Sequence, residues 1–316
     1  MNRLLLVLLL TASSAFAGQR VNETLDVTED VLIDIEHQNG RIEIRGWDKA
    51  QVEVKGELSD KAEDFVFERR GSRVVIEVRM PKRNNWNWKD SDNGDDLVVN
   101  VPKGSKIDYS SVNADVRAKD LHNGASIDTV NGEIDVEVLS GRISLESVNG
   151  DIESEKLFGD ISFETVNGNI RDRGSNGRDV RYESVNGDIF VNSSITEIKV
   201  ESVNGGIELE LGDIQALDIV TVNGNVEAYM NLMENGSVEG TSVSGRMELK
   251  FQEDVSARFD VQAHAGGRIV NRFSEHEPQR DKYGPRRWLE FTTGSGKGRV
   301  ELSTVGGRII LAKHKN

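Results

Sequence analysis

Apolar and polar residues alternate along most of the chain, in short runs such as the one from Ile143 to Ser147. An apolar residue at every second position is the pattern of a β-strand with one buried face. These runs recur at nine-residue intervals, at Ile143, Ile152, Ile161 and Ile170. The pattern predicts an all-β protein with a short internal repeat.

A longer repeat is centred on the residues Val-Asn-Gly. The asparagines of its clearest copies, spaced 18 or 19 residues apart, are Asn113, Asn131, Asn149, Asn167, Asn186, Asn204 and Asn223. Asn39-Gly40 resembles an early copy, and Val243-Ser244-Gly245 and Val305-Gly306-Gly307 resemble late ones. Each nine-residue interval is therefore half of one repeat.

Two architectures use such a repeat. Asn-Gly pairs form two-residue hairpins in an antiparallel meander, or they mark corners between the stacked coils of a solenoid. Identical residues at identical positions favour the solenoid, because each coil then lies on its own copy. We predict a single-domain parallel β-solenoid, right-handed and β-helix-like, with 18–19 residues per coil. The nine-residue halves disfavour a left-handed hexapeptide helix.

Stacking turns each position of the repeat into a column. We expect the isoleucines, such as Ile134 and Ile152, to form the core, and the asparagines to form a corner ladder in which each amide bonds to the next coil. The hydroxyl column from Thr129 to Ser242 is interpreted as scaffold, because no histidine recurs near it to activate a nucleophile.

An acidic column lies three residues before the asparagines. Its members are Asp128, Glu146, Glu164, Glu183 and Glu201. Like charges on neighbouring coils repel by less than about 1 kcal/mol at about 5 Å in water. The column is therefore either a solvated face or a weak stripe for divalent cations or a cationic partner. No firm metal site is predicted.

The repeat does not extend uniformly along the chain. We expect residues 18–106 to form an N-terminal β region that starts and caps the solenoid, since a bare terminal coil exposes strand edges. Residues 107–316 then form the repeat region, with a loop insertion at about 273–293.

The interruptions carry the candidate partner-binding residues. Trp86 and Trp88 lie on a polar loop, where they either contact a sugar or a partner or belong to a plain surface loop. Arg286, Arg287 and Trp288 lie in the basic insertion, whose charges either hold an acidic partner or lie against the chain's own acidic face.

Composition narrows the function classes. The 316-residue chain has a formal net charge of −15, which opposes binding to nucleic acid.

Residues 1–17 have the order of a signal peptide, and no later segment is apolar enough to span a membrane. We expect export by a Sec-type pathway, most simply to the periplasm, with the cell surface or secretion as alternatives. The chain has no cysteine, so disulfides are excluded.

The Ser/Thr-Val-Asn-Gly-Asp/Glu-Ile units, such as Ser147–Ile152 and Ser184–Ile189, resemble the bacterial putative-adhesin family of β-strand repeats. The stretch from Asn39 to Asp48 and the Val99–Gly104 stretch are similar to other parts of that family. The family is known as a domain of unknown function. The resemblance implies an exported β-solenoid, suggests adhesion by analogy of shape, and supplies no catalytic residues.

These observations favour an exported, non-catalytic protein of the cell envelope, an adhesin or a binding scaffold for an envelope protein or polysaccharide. A periplasmic sensor or assembly partner is the alternative. A polysaccharide-active β-helix enzyme is less favoured, because the acidic column gives no distinct acid and base environments. No cofactor is expected.

Overall fold

The computed structural model describes residues 19–81 and 94–314. In this part of the chain every regular element is a β-strand, and strands of the repeat region pair in parallel with strands 18 or 19 residues further on. The predicted parallel β-solenoid is confirmed, and an antiparallel meander is excluded for the repeat region.

The strands, in chain order, are β1 (Arg20–Asp26), β2 (Leu32–Trp47), β3 (Gln51–Glu57), β4 (Asp64–Arg70), β5 (Arg73–Arg79), β6 (Asp95–Pro102), β7 (Lys106–Leu121), β8 (Ala125–Thr129), β9 (Ile134–Ser147), β10 (Ile152–Glu155), β11 (Phe158–Thr165), β12 (Ile170–Asn186), β13 (Ile189–Ser193), β14 (Glu197–Asn204), β15 (Ile207–Asn223), β16 (Val226–Ser244), β17 (Arg246–Phe251), β18 (Ala257–Ala263), β19 (Arg268–Asn271), β20 (Gln279–Arg280), β21 (Arg287–Thr292), β22 (Gly298–Thr304) and β23 (Arg308–Lys313).

Each coil of the repeat region has two strand segments joined by two corners. The start of β9 pairs with β10, and the end of β9 pairs with β11, so one nine-residue half of the repeat is one segment with its corner. Ile134, Ile152 and Ile170 are in register, and each is fully buried. The predicted core columns are confirmed.

The glycine of each Val-Asn-Gly copy is required by the close approach of two coils. A Cβ on Gly150 would lie 1.9 Å from the carbonyl oxygen of Gly132, and one on Gly187 would lie 1.8 Å from that of Gly168. Neither Gly150 nor Gly187 has a positive φ, so a left-handed backbone conformation is not the reason for glycine here. Coil-to-coil contact therefore selects glycine at this corner.

At the N-terminal end the order of the coils in space differs from their order in the chain. β2 pairs in parallel with β7 on one side and with β5 and β6 on the other, so the coil of β5 and β6 lies outermost. β4 is antiparallel to β5, and β3 is antiparallel to β6 and β1. These antiparallel strands occupy edges that the outermost coil would otherwise leave unpaired.

The C-terminal end shows the same exchange. β22 lies between β16 and β18, and β23 lies between β17 and β19, so the last coil of the chain is inserted inside the coil of β18 and β19. β21 adds to β18 in an antiparallel direction, and β20 adds to β21. Phe259 stacks on Phe291 with ring centroids 4.5 Å apart, and Phe273 stacks on Phe259 at 5.5 Å.

The predicted loop insertion at 273–293 is therefore partly regular structure. It contains β20 and β21, and Phe273 is buried in the aromatic cluster. Leu289 and Phe291 alternate with polar neighbours, but nothing in the sequence shows that this segment pairs with β18. The segment helps to close the end of the solenoid.

Candidate functional site

The repeat asparagines form one continuous ladder along a corner. In each rung the Nδ2 atom of one asparagine donates to the Oδ1 atom of the asparagine in the preceding coil, at 2.7–3.2 Å. The ladder runs from Asn39 through Asn113 to Asn223, where the Ser244 hydroxyl continues it. The predicted corner ladder is confirmed. From Asn113 to Asn223 its members are exposed, and each amide keeps one further N–H and one further lone pair for another partner.

A second ladder, which the sequence analysis missed, lies two residues after the asparagines. Oδ1 of Asp151 accepts from the backbone N–H of Asn169, Oδ1 of Asn169 accepts from that of Asp188, and Oδ1 of Asp188 accepts from that of Gly206. Recurring Asp or Asn after Asn-Gly was the available signal. These side chains satisfy backbone donors, so they belong to the scaffold.

The hydroxyl column is also scaffold. Thr129, Ser147 and Thr165 are 1–5% exposed. The Ser147 hydroxyl donates to the carbonyl oxygen of Gly132, and the Ser111 hydroxyl donates to Thr129. Buried hydroxyls of this kind cannot reach a substrate in solvent.

The five members of the acidic column lie in register on neighbouring coils, as the repeat predicts. Two of them have basic partners: Glu183 pairs with Arg181, and Glu201 pairs with Lys199 at 2.6 Å. Within the described ranges, no group of three or more His, Asp or Glu side chains has a geometry that could hold a metal ion. The cation stripe therefore stays a prediction, centred on Asp128, Glu146 and Glu164.

Partial burial and neighbouring like charges disfavour the ionised form of one carboxyl group at the start of this column. Partial burial, with the nearby charges of Glu146 and Asp108, raises the pKa of Asp128 to about 6. The column is therefore incompletely ionised near neutral pH at this position.

An exposed apolar column, which we call the valine stripe, lies beside the asparagine ladder. It consists of the valine that precedes the asparagine position in nine successive coils, each 36–46% exposed: Val112, Val130, Val148, Val166, Val185, Val203, Val222, Val243 and Val305. Eight coil spacings of about 4.8 Å make the stripe about 38 Å long. The sequence contained this stripe in every Val-Asn-Gly copy, but strand alternation alone does not show that the residue before a corner faces outward.

The structure describes only some of the predicted partner-binding residues. Trp86 and Trp88 lie outside the described residues. Arg286 lies over the ring of Trp288 at 5.5 Å and donates to Gln262 at 3.2 Å, while Arg287 begins β21. Neither arginine forms an ion pair within residues 19–81 and 94–314. These side chains stay candidate residues, and they do not lie in ion pairs against the chain's own acidic face.

A buried polar cluster lies near the N-terminal end. His37 Nε2 lies 3.1 Å from Asp95 Oδ2, without hydrogen-bond alignment, and His37 Nδ1 lies 3.4 Å from the Tyr109 hydroxyl. Burial raises the pKa of Tyr109 above its usual value. An acid, a base and a hydroxyl in a row resemble a catalytic relay, but Tyr109 is fully buried and His37 is 2% exposed. The cluster joins β2, β6 and β7.

The comparisons with known proteins identify a family. The family described as Toastrack DUF4097 matches residues 32–311, and the chain belongs to it. The predicted resemblance to an adhesin-like family of unknown function is confirmed at this level. No curated protein matches the chain. In the described part, no helix is long and apolar enough to cross a membrane.

Several solved structures are similar to the chain. A putative cell adhesion protein from Clostridium sporogenes is 10% identical, with 94% of this chain and 100% of that chain covered and a TM-score of 0.25. A putative adhesin from Parabacteroides distasonis is 11% identical, with 93% and 97% covered and a TM-score of 0.49. A putative lipid binding protein from the same organism is 14% identical, with 94% and 98% covered and a TM-score of 0.44.

Proposed function

We propose that this Toastrack family member is a non-catalytic binding scaffold of the cell envelope with an adhesin-like role. The observation that carries the proposal is the valine stripe. The nine exposed valines lie in register and form one continuous apolar surface. Contiguous exposed apolar patches mark interaction sites, whereas single exposed valines do not.

The neighbours of the stripe indicate the chemistry of its partner. On one side the asparagine ladder offers a free N–H and a free lone pair in each coil, and on the other side Glu146 and Glu164 offer carboxylate acceptors. A sugar ring combines an apolar C–H face with hydroxyl groups. A linear envelope polysaccharide lying along the axis of the solenoid is therefore the partner that this surface fits best.

The arrangement of ionisable groups supports a role without catalysis. The acidic column repeats one environment instead of setting an acid beside a base, and the relay-like cluster at His37 is buried. Binding by repeated weak contacts needs only the regular surface, because many contacts act together.

The first test is binding to an array of envelope polysaccharides. We expect the protein to bind one class of linear glycan, and the variant V148S/V166S/V185S to bind it more weakly. The matched control changes two exposed apolar side chains away from the stripe, Phe158→Ser and Met233→Ser, and should bind normally.

An array without any bound glycan would contradict the polysaccharide partner. Release of reducing ends from a bound polysaccharide would contradict the absence of catalysis. Equal loss of binding in the stripe variant and in the control variant would show that the stripe is not the binding surface.

A second candidate role is that of an envelope assembly partner. It is favoured by the turn between β20 and β21, where Tyr283 is 91% exposed and Lys282 lies over its ring at 5.2 Å. Crosslinking from position 283 to a single envelope protein, lost on Tyr283→Ser, would support this role over glycan binding.

A further inference from the structure

Three exposed arginines form a column at the C-terminal end of the solenoid, which we call the arginine ladder. Arg246 of β17 is in register with Arg308 of β23, and Arg308 is in register with Arg268 of β19. The three residues are far apart in the chain and become neighbours because the last coil is inserted between two earlier ones. Coils spaced by about 4.8 Å hold the three backbones in a row.

In most of the preceding coils the same column carries an acidic or amide side chain. The positions equivalent to Arg246 in the coils towards the N-terminus are Asn225, Gly206, Asp188, Asn169, Asp151, Glu133, Asp115 and Arg41. In those coils the side chains of Asp115, Asp151, Asn169 and Asp188 accept hydrogen bonds from backbone N–H groups of the next coil. Arginine cannot accept such bonds, so the ladder does not serve the scaffold in this way.

The arginines of the ladder have no carboxylate within ion-pair distance in the described part of the chain. Arginines elsewhere are commonly paired, as Arg73 is with Asp34 and Arg299 is with Glu301. Glu248 follows Arg246 on the same strand, but it lies 4.0 Å from Lys250, which also pairs with Glu227. Ile310 and Val270 occupy the corresponding positions after Arg308 and Arg268, so these two arginines have no acid there.

The corner beside the ladder is bare. The asparagine ladder ends at Ser244, and the following coils carry Gly306-Gly307 and Gly266-Gly267 at this corner. A Cβ on Gly266 would have no atom within 4 Å, and one on Gly306 would lie 3.8 Å from the nearest. The small residues leave open space for a bulky group next to the guanidinium groups.

We propose that the arginine ladder is a binding site for a multivalent oxyanion, specifically for phosphate groups carried by an envelope partner. Like charges stacked on a sheet destabilise it, and a bound anion would relieve this repulsion. Guanidinium groups bind phosphate through paired hydrogen bonds. The acidic body of the protein repels anions, so a phosphate-bearing partner would bind at this end only. This inference rests on the proposed binding role and names the chemical group recognised.

Binding of tripolyphosphate to the whole protein tests the site, by calorimetry at low and at physiological salt. We expect binding that weakens as salt rises, because released counterions oppose it. Arg308→Gln removes the central charge and should weaken binding about tenfold, the effect of one lost charge-assisted contact. Arg308→Lys should recover part of the affinity. Arg299→Gln, an exposed arginine on β22 that already pairs with Glu301, is the matched control and should bind normally.

Two arms identify the source of the phosphate. Sedimentation with phosphatidylglycerol vesicles but not with phosphatidylcholine vesicles, lost in Arg308→Gln, would assign a lipid headgroup. Binding to tripolyphosphate with no sedimentation would assign a phosphate-bearing polymer.

Absence of tripolyphosphate binding, or equal weakening by Arg308→Gln and Arg299→Gln, would overturn the proposed site. Absence of glycan binding with normal tripolyphosphate binding would contradict only the polysaccharide surface, so the two proposals fail separately.

Discussion

Asp172 is a carboxyl group in the core of the solenoid, and its removal gives the sharpest test of how the coils are held together. It is 1% exposed and occupies a column filled by Val136 and Val191 in nearby coils. Its oxygens accept from the Ser154 hydroxyl at 2.7 Å and the Tyr182 hydroxyl at 2.6 Å, and also from the Ser175 hydroxyl. Within the described residues no basic side chain forms an ion pair with it.

Two substitutions separate the charge of Asp172 from its hydrogen bonds. Asp172→Val matches the apolar column but leaves three buried hydroxyls without their acceptor, at about 1–3 kcal/mol each, so we expect a loss of about 3 kcal/mol or more. Asp172→Asn keeps one acceptor oxygen and the shape. We expect it to change the free energy of unfolding by less than about 1 kcal/mol at pH 4.

The pH dependence distinguishes the charge from the packing. Burial raises the pKa of Asp172, and the hydroxyl donors only partly oppose this. A carboxyl whose pKa is raised by folding stabilises the protein below its unfolded pKa of about 3.9, and this contribution is lost as pH rises through the folded pKa. Asp172→Asn should therefore become more stable than the parent as pH rises, by about 1.4 kcal/mol for each unit of pKa difference.

Urea unfolding between pH 4 and pH 8.5, followed by circular dichroism, measures these differences. The exposed Asp160→Asn is the control and should follow the parent at every pH. Parallel midpoint curves for the parent and Asp172→Asn would refute the reasoning, because they would show that the buried carboxyl does not titrate in the predicted range. A valine variant as stable as the parent would refute the cost assigned to the hydroxyls.

Three further outcomes follow from the ladders. Asn167→Ala breaks two rungs and Asn39→Ala breaks one, so the loss of urea stability should be about twice as large for Asn167, at about 1 kcal/mol per rung. Asp128→Asn should raise the urea midpoint at pH 7.5 and leave it nearly unchanged at pH 4, because the cost of the raised pKa develops between the unfolded pKa of about 3.9 and the folded pKa of about 6 and is complete at pH 7.5; an equal effect at both values would contradict this. If the acidic column binds cations, millimolar calcium should raise the melting temperature, and Glu146→Gln should reduce the effect; an unchanged midpoint would remove that hypothesis.

The interior of the repeat region could be predicted from the sequence because each column obeys one constraint. Isoleucines point inward every nine residues. Each Val-Asn-Gly corner carries an amide, with a small hydroxyl residue before it. Only one way of stacking the coils is consistent with all of these columns. The residue-to-residue register, such as Ile134 with Ile152, follows directly from the spacing. The reason for glycine at the corner could not be read in this way, because it depends on the distance between two coils.

The ends of the solenoid could not be predicted, because there neighbours in space are distant in the chain. Asn39 contacts Asn113, and Val305 follows Val243 in the stack, although 74 and 62 residues separate them. The spacing rule that identifies the repeat fails for both pairs. The predicted loop at the insertion differs from the structure for a similar reason. β21 pairs with β18, and no local sequence pattern indicates that these two segments are neighbours.

This difference between the interior and the ends indicates where specific recognition can evolve in such a fold. In the interior, the column two residues after asparagine is Asp or Asn in five coils, where its oxygen accepts from a backbone donor of the next coil, and Glu133 and Gly206 are the exceptions. At the C-terminal end, the N–H of Arg308 donates to the Gly245 carbonyl and that of Arg268 to the Gly307 carbonyl, so backbone oxygens replace the side-chain acceptor. The side chain at this position therefore does not have to accept a hydrogen bond from the backbone of the next coil. Arginine replaces the acid or amide where that requirement no longer applies, and it adds positive charges that form no ion pair among the described residues of an otherwise acidic protein.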